Sequence, residues 1–167
     1  MDWEELYHQY SDHVFKFIYF MVGNKGIAED LTHDTYVRVE KALPNYRGES
    51  SYYTWIISIA RNVTNDFLRR SKKIRFIPFE NNLHDSIGEK VEDRLIHEES
   101  TLEVMRMIHN LKLNYRNVII LRKIQELSVE ETAEALGWSS SKVKSTTYRA
   151  MEKLRKELHY PDNGEEA

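Results

Sequence analysis

Tyr46–Arg70, YRGESSYYTWIISIARNVTNDFLRR, is the stretch on which the reading of the chain turns. A short polar loop leads into a helix that starts with aromatics and ends with arginines. Tyr52, Ile56, Ile59, Ala60, Val63 and Phe67 recur at the 3.6-residue period of a buried stripe. Trp55, Ser58, Asn62, Asp66 and Arg69 form a second stripe that mixes a large ring with hydrogen-bonding and cationic groups. Core packing accounts for the first stripe and not for the second. Aromatic faces, amide edges and guanidinium groups beside a Gly-containing loop are what unpaired bases and phosphates need. The same residues also suit a plain buried helix whose Trp55 is core and whose arginines face water.

Charge on either side of this stretch is blocked rather than mixed. The whole chain of 167 residues carries a net charge of −3, which does not mark a polyanion binder. Yet Pro44–Arg75 holds Arg47, Arg61, Arg69, Arg70, Lys72, Lys73 and Arg75 against Glu49 and Asp66. Glu80–Glu103 reverses the balance, and Trp138–Leu158 restores it through Lys142, Lys144, Arg149, Lys153, Arg155 and Lys156. Two basic blocks around an acidic one predict two polyanion-facing modules and a spacer. The absence of cysteine excludes disulfides and thiolate chemistry. The opening MDWEELYHQY is acidic and amphipathic and does not read as the basic-then-apolar run of a signal peptide, and no apolar run nears the ~20 residues that span a bilayer. A cytoplasmic protein without direct membrane binding is expected.

Upstream, Asp2 and Glu5 predict a capping box for a first helix. Its apolar stripe is Trp3, Leu6, Tyr7, Tyr10, Val14, Phe17, Ile18 and Met21, and Gly23-Asn24 stops it. A second helix over about 26–43 packs Ile27, Ala28, Leu31, Thr35, Val39 and Ala42 inward, with Arg38 as the outlier on that side. Glu29, Asp30, His33, Asp34, Tyr36 and Glu40 face outward, and Pro44 ends the helix. Downstream, residues 74–99 read as an acidic linker with Pro78, Gly88 and Asn81-Asn82. Helical spacing resumes at Leu102, Met105, Ile108 and Leu111, and Ser128 with Glu131 makes a second capping box. No strand pattern appears, so the fold expected is all-α. Residues 1–73 form one helical domain, 100–160 a second, and 161–167 a disordered tail.

Within VEETAEALGWSSSKVKSTTYRAMEKL, Ala133, Gly137 and Val143 stand four and six residues apart. That spacing suits a helix-turn-helix: a small residue at the helix crossing, positive φ at the turn, and a branched anchor in the second helix. The second helix then exposes Lys142, Ser145, Thr146, Arg149 and Lys153, flanked by Lys144 and Tyr148, for a major groove and its phosphates. Val143, Thr147, Ala150, Met151, Leu154 and Leu158 face its core. A helical hairpin with a solvated basic face is the plainer alternative.

Glu29, Asp30, His33 and Asp34 lie close together, but a metal site needs a further ligand from elsewhere and none stands out. No phosphate-binding glycine loop or nucleophile elbow occurs, so no enzymatic activity is expected.

AEDLTHDTYVRV (Ala28–Val39), the Tyr46–Arg70 stretch and the C-terminal helix-turn-helix together resemble a bacterial RNA polymerase sigma factor. The resemblance is to the extracytoplasmic-function (ECF) group of the sigma-70 family, which keeps only the σ2 and σ4 domains. The string T-W-[IL]-x-x-I-A-R-N-x-x-x-D carries it most specifically, and the ending KVKSTTYRAMEKLRK is similar to that of SigX-like members. The resemblance implies that Glu29, Asp30, His33, Asp34 and Arg38 dock on the β′ clamp helices of core polymerase, with the β flap as a further contact. His33 stands where Gln is usual. It implies that Tyr46, Arg47, Gly48, Ser50 and Ser51 form the loop capturing a flipped minus-10 base. Tyr53, Trp55, Asn62, Asp66 and Arg69 would border the melted strand. Lys142, Lys144, Ser145, Tyr148, Arg149 and Lys153 would read the minus-35 duplex. Lys144 and Thr146 stand where many relatives carry arginine, so no base preference carries over. The turn Leu111–Asn114 lacks the usual proline. The linker would thread toward the RNA exit path. No cofactor is implied, and a membrane-anchored anti-sigma protein is implied as the silencing partner. The rivals are a helix-turn-helix regulator that binds operator DNA without polymerase, and a metal-dependent hydrolase using Glu29–Asp34.

Overall fold

The computed structural model describes residues 1–74 and 99–165, all of whose regular elements are helical. The expected linker falls almost wholly on residues 75–98, outside the described residues. Helix α1 spans Trp3–Val22, and its start is set by the predicted capping box. The Asp2 carboxylate accepts from the Glu5 amide and the Glu5 carboxylate from the Asp2 amide, both at 2.9 Å. Gly23 ends α1 in the left-handed region at φ 68°. Helix α2 spans Lys25–Ala42, capped by the Asn24 side chain on the Ile27 amide, and a 3₁₀ turn over Leu43–Asn45 follows. Helix α3 spans Tyr52–Ile74, running past the predicted end at Arg70.

Beyond the linker, α4 spans Glu99–His109 and α5 spans Leu113–Ile119. A π-helical turn, Ile120–Ile124, prolongs α5, and Glu126 then takes a positive φ of 57°. Helix α6 spans Val129–Leu136 between the Ser128/Glu131 capping box and Gly137, whose φ is 68°. Helix α7 spans Ser140–Glu165, so it continues beyond Pro161, where a disordered tail was expected.

Helices α1, α2 and α3 pack against one another as one unit, and α5, α6 and α7 as a second. The second unit leans on the first: α6 lies on α3, while α4 and the π turn lie on α1. This packing corrects several single-stripe expectations. The final turns of α1, Phe17–Val22, are buried all round because both units press on them. At the other end Trp3 and Tyr7, expected in the core, are 37% and 41% exposed, since Leu6 takes the inward position. Tyr36, placed on the outward face of α2 by its spacing, is 4% exposed. Its ring meets Tyr7 edge-on at 4.9 Å and its hydroxyl reaches the Leu6 carbonyl at 3.5 Å, so burial pushes the phenol up. In α7, Thr146 turns inward and Leu158 outward, the reverse of the expectation for each.

Arg116 holds the α4–α5 corner that lacks the proline. Its guanidinium donates to the carbonyls of His109 (2.8 Å) and Leu111 (3.2 Å), and also to that of Met21 in α1 (2.6 Å). Burial, and then the Arg116 charge, pull the His109 imidazole down from 6.5 to about 4. Between those values the unfolded chain binds the proton and the folded one does not. Stability that is complete above pH 6.5 is therefore lost as the pH falls toward 4. His109→Gln is expected to flatten that part of the urea-unfolding profile by about 1–2 kcal/mol, allowing for solvent screening.

Candidate nucleic-acid interface

The loop before α3 is anchored at both ends. The Tyr46 hydroxyl donates to the Ser50 carbonyl, and the Ser51 hydroxyl accepts from the Thr54 amide at 3.1 Å, capping α3. Between them Gly48 adopts φ 72°, with open space where a side chain would stand. Arg47, Gly48, Glu49 and Ser51 are exposed, and Ser50 is half-buried.

Three half-buried rings sit beside this loop. Tyr46 stacks on Tyr52 at 4.5 Å and tilts against Trp55 at 4.9 Å. Tyr52 had been assigned to the buried stripe. Its place three residues before Trp55, on the same helix face, was the available signal for its role here. Along α3 beyond Trp55, the Ser58 hydroxyl donates to the Trp55 carbonyl (2.6 Å). Exposed Asn62 accepts from Arg61 at 3.2 Å, and Asp66 pairs with exposed Arg69 at 3.0 Å. Aromatic faces, an amide and guanidinium groups thus line one continuous surface from the loop to the end of the helix. Such a surface can stack bases and hold phosphates.

Tyr53 does not join that surface. It lies across α3, stacked on Tyr10 (5.5 Å), edge-on to His13 (5.8 Å), with its hydroxyl donating to the Gln125 side chain.

On α2, Glu29, Asp30, His33, Asp34 and Arg38 are all exposed. Glu29 pairs with Lys25 at 3.8 Å. Among the described residues no three His, Asp or Glu side chains are grouped to hold a metal.

On α7, Lys142, Lys144, Ser145, Arg149 and Lys153 are exposed, and Tyr148 is 67% exposed. The Lys142 ammonium sits 4.1 Å from the centre of the Trp138 ring, a contact the sequence reading missed although the two are i,i+4 neighbours across the turn. Val143 is fully buried, Ala133 nearly so, and Gly137 supplies the turn, which is the helix-turn-helix arrangement.

Comparison with known proteins gives two family matches, Sigma-70 region 2 over residues 6–74 and Sigma-70 region 4 over residues 101–154. Over 158 residues the chain is 35% identical to the ECF RNA polymerase sigma factor SigX of Bacillus subtilis, covering 92% of this chain and 81% of that one. It is 34% identical to the RNA polymerase sigma factor YlaC of the same organism, covering 93% and 91%. The solved sigma factor RpoE of Bartonella quintana, bound to the anti-sigma factor NepR, superposes with a TM-score of 0.71. That likeness, at 19% identity over 93% of this chain and 95% of that one, is one of fold. Among the described residues no helix is long and apolar enough to cross a membrane.

Proposed function

Since the chain belongs to the ECF group of RNA polymerase sigma factors, we propose a residue-level division of its promoter work. The exposed face of α2, with Glu29, Asp30, His33, Asp34 and Arg38, docks on the β′ clamp helices of core polymerase, and the second unit meets the β flap. The loop of Tyr46, Arg47, Gly48, Ser50 and Ser51 receives a base flipped from the minus-10 element. Trp55, Asn62, Asp66 and Arg69 border the strand that leaves the duplex. Lys142, Lys144, Ser145, Tyr148, Arg149 and Lys153 engage the minus-35 element as intact duplex.

The observation that carries this reading is the ring surface of Tyr46, Tyr52 and Trp55 beside the open Gly48 turn. A flipped base loses a few kcal/mol of stacking, which aromatic faces at that spot offset. A regulator that binds duplex alone has no use for such a surface. The protein acts through binding and has no reaction of its own. A second partner is an anti-sigma factor, anchored in the membrane and holding the protein at its cytoplasmic side. The NepR-bound structural neighbour supports an anti-sigma factor as partner, while the membrane anchor rests on the family resemblance.

The docking assignment has a direct test. Reversing charge with Asp30→Lys and Asp34→Lys is expected to weaken core polymerase binding by about tenfold or more at low salt. The loss should shrink as salt rises, with the thermal midpoint unchanged. Unaltered affinity would move the docking face elsewhere.

A further inference from the structure

Trp138 stands in the turn between α6 and α7, and its backbone is fixed there. The Gly137 amide donates to the Glu134 carbonyl at 3.3 Å and the Trp138 amide to the Ala133 carbonyl at 3.0 Å. Those two bonds end α6 as a Schellman motif. On the other side of the turn the Ser139 hydroxyl accepts from the Lys142 amide and the Ser139 carbonyl from the Val143 amide, both at 3.1 Å. The half-buried Trp138 ring packs against the core, so it offers a fixed face to the Lys142 ammonium 4.1 Å from its centre.

Lys142 is exposed and leads the stripe of Lys142, Ser145, Arg149 and Lys153 along one face of α7. The first turn of α7 carries no acidic residue, and a cation there opposes the helix dipole. The lysine is thus badly placed for the free helix and well placed for a phosphate, which both the ammonium and the helix start attract. A free lysine stem loses rotamer freedom when it grips a phosphate. A ring that already holds the ammonium removes part of that cost, and it occupies one side of the group while leaving the others to donate.

We propose that Trp138 is a positioning residue for the duplex contact of α7. It holds Lys142 at the start of the helix, ordered in advance to meet a backbone phosphate of the minus-35 element. The inference rests on the reading of α7 given above and adds a residue that acts through Lys142.

The test uses the full chain assembled with core polymerase, on a duplex carrying the minus-35 element. Trp138→Leu keeps apolar bulk against the core and removes the ring face. It is expected to lower affinity about two- to fivefold, as loss of an exposed cation–π contact does. The same factor should be lost on a duplex with that element scrambled, because a phosphate contact carries no sequence information. Lys142→Gln should weaken binding at least as much and reduce the slope of log affinity against log salt by about one. With Lys142→Gln in place, Trp138→Leu should cost nothing further. Trp138→Phe keeps a smaller ring face and should recover part of the loss, which guards against a leucine variant whose turn fails to form. In the free parent protein the Lys142 ε-methylene protons should be shifted upfield by the ring, and Trp138→Leu should abolish the shift. Equal losses from Trp138→Leu with and without Lys142, unchanged affinity in Trp138→Leu, or unshifted ε protons in the parent would make Trp138 a packing residue and overturn the inference. Unchanged affinity after Lys142→Gln overturns it as well. If Arg149→Ala is then also without effect, the minus-35 reading of α7 falls with it.

Discussion

Replacing Trp55 by alanine is expected to lower run-off transcription about 5- to 100-fold while leaving the affinity for core polymerase unchanged. The magnitude follows from base–aromatic stacking, worth about 1–3 kcal/mol per base. Trp55 is half-buried, with one side against Tyr46, which itself leans on Tyr52. Alanine removes one wall of that surface and leaves Ser51, Thr54 and the α3 cap in place, so the loop keeps its anchor. Trp55→Phe should retain part of the activity, because a smaller π-face still stacks. A thermal midpoint close to that of the parent protein is needed to separate lost stacking from lost folding. Full activity in the alanine variant would make Trp55 a packing residue and nothing more.

Arg116→Ala should be the most destabilising single change at the junction, by about 3 kcal/mol. Hydrogen bonds from a charged donor contribute about 1.5–3 kcal/mol, and groups sharing one side chain do not add in full. Three carbonyls lose their donor together, those of Met21, His109 and Leu111, at the ends of α1 and α4. Carbonyls at helix ends have no partner within their own helix, so the loss is not made good locally. Arg116→Lys should recover less than half, because an ammonium cannot reach three carbonyls spread around a planar fork. Urea unfolding measures both variants. A change below about 1 kcal/mol for alanine would mean that water replaces the guanidinium at no cost.

What the sequence made legible was local. Asp2 with Glu5 and Ser128 with Glu131 state their helix starts within four residues, and Gly137 with Val143 states the turn. The exposed placement of Glu29, Asp30, His33 and Asp34 followed from helical spacing alone, whereas Arg38, which spacing grouped with the inward side, is exposed as well. What stayed hidden was long-range. Gln125 is 72 residues from Tyr53 and Asn117 is 52 from Asn65, and no periodicity connects such pairs. One hidden contact did leave a trace. Phe17–Val22 is apolar on every side, the signature of a helix segment buried all round, and reading it as one stripe concealed the second unit that covers it. Thr146 was misplaced for a related reason. It is short enough to turn into the α7 interface, so its polarity said little about its exposure.

Permanganate footprinting of promoter DNA tests the central claim most directly, namely that this protein and core polymerase together open the duplex at the Trp55 surface. Reactive thymines at the minus-10 element are predicted only when both are present, and they should disappear with Trp55→Ala. Duplex protection by the protein alone, with no reactive thymine when polymerase is added, would contradict it.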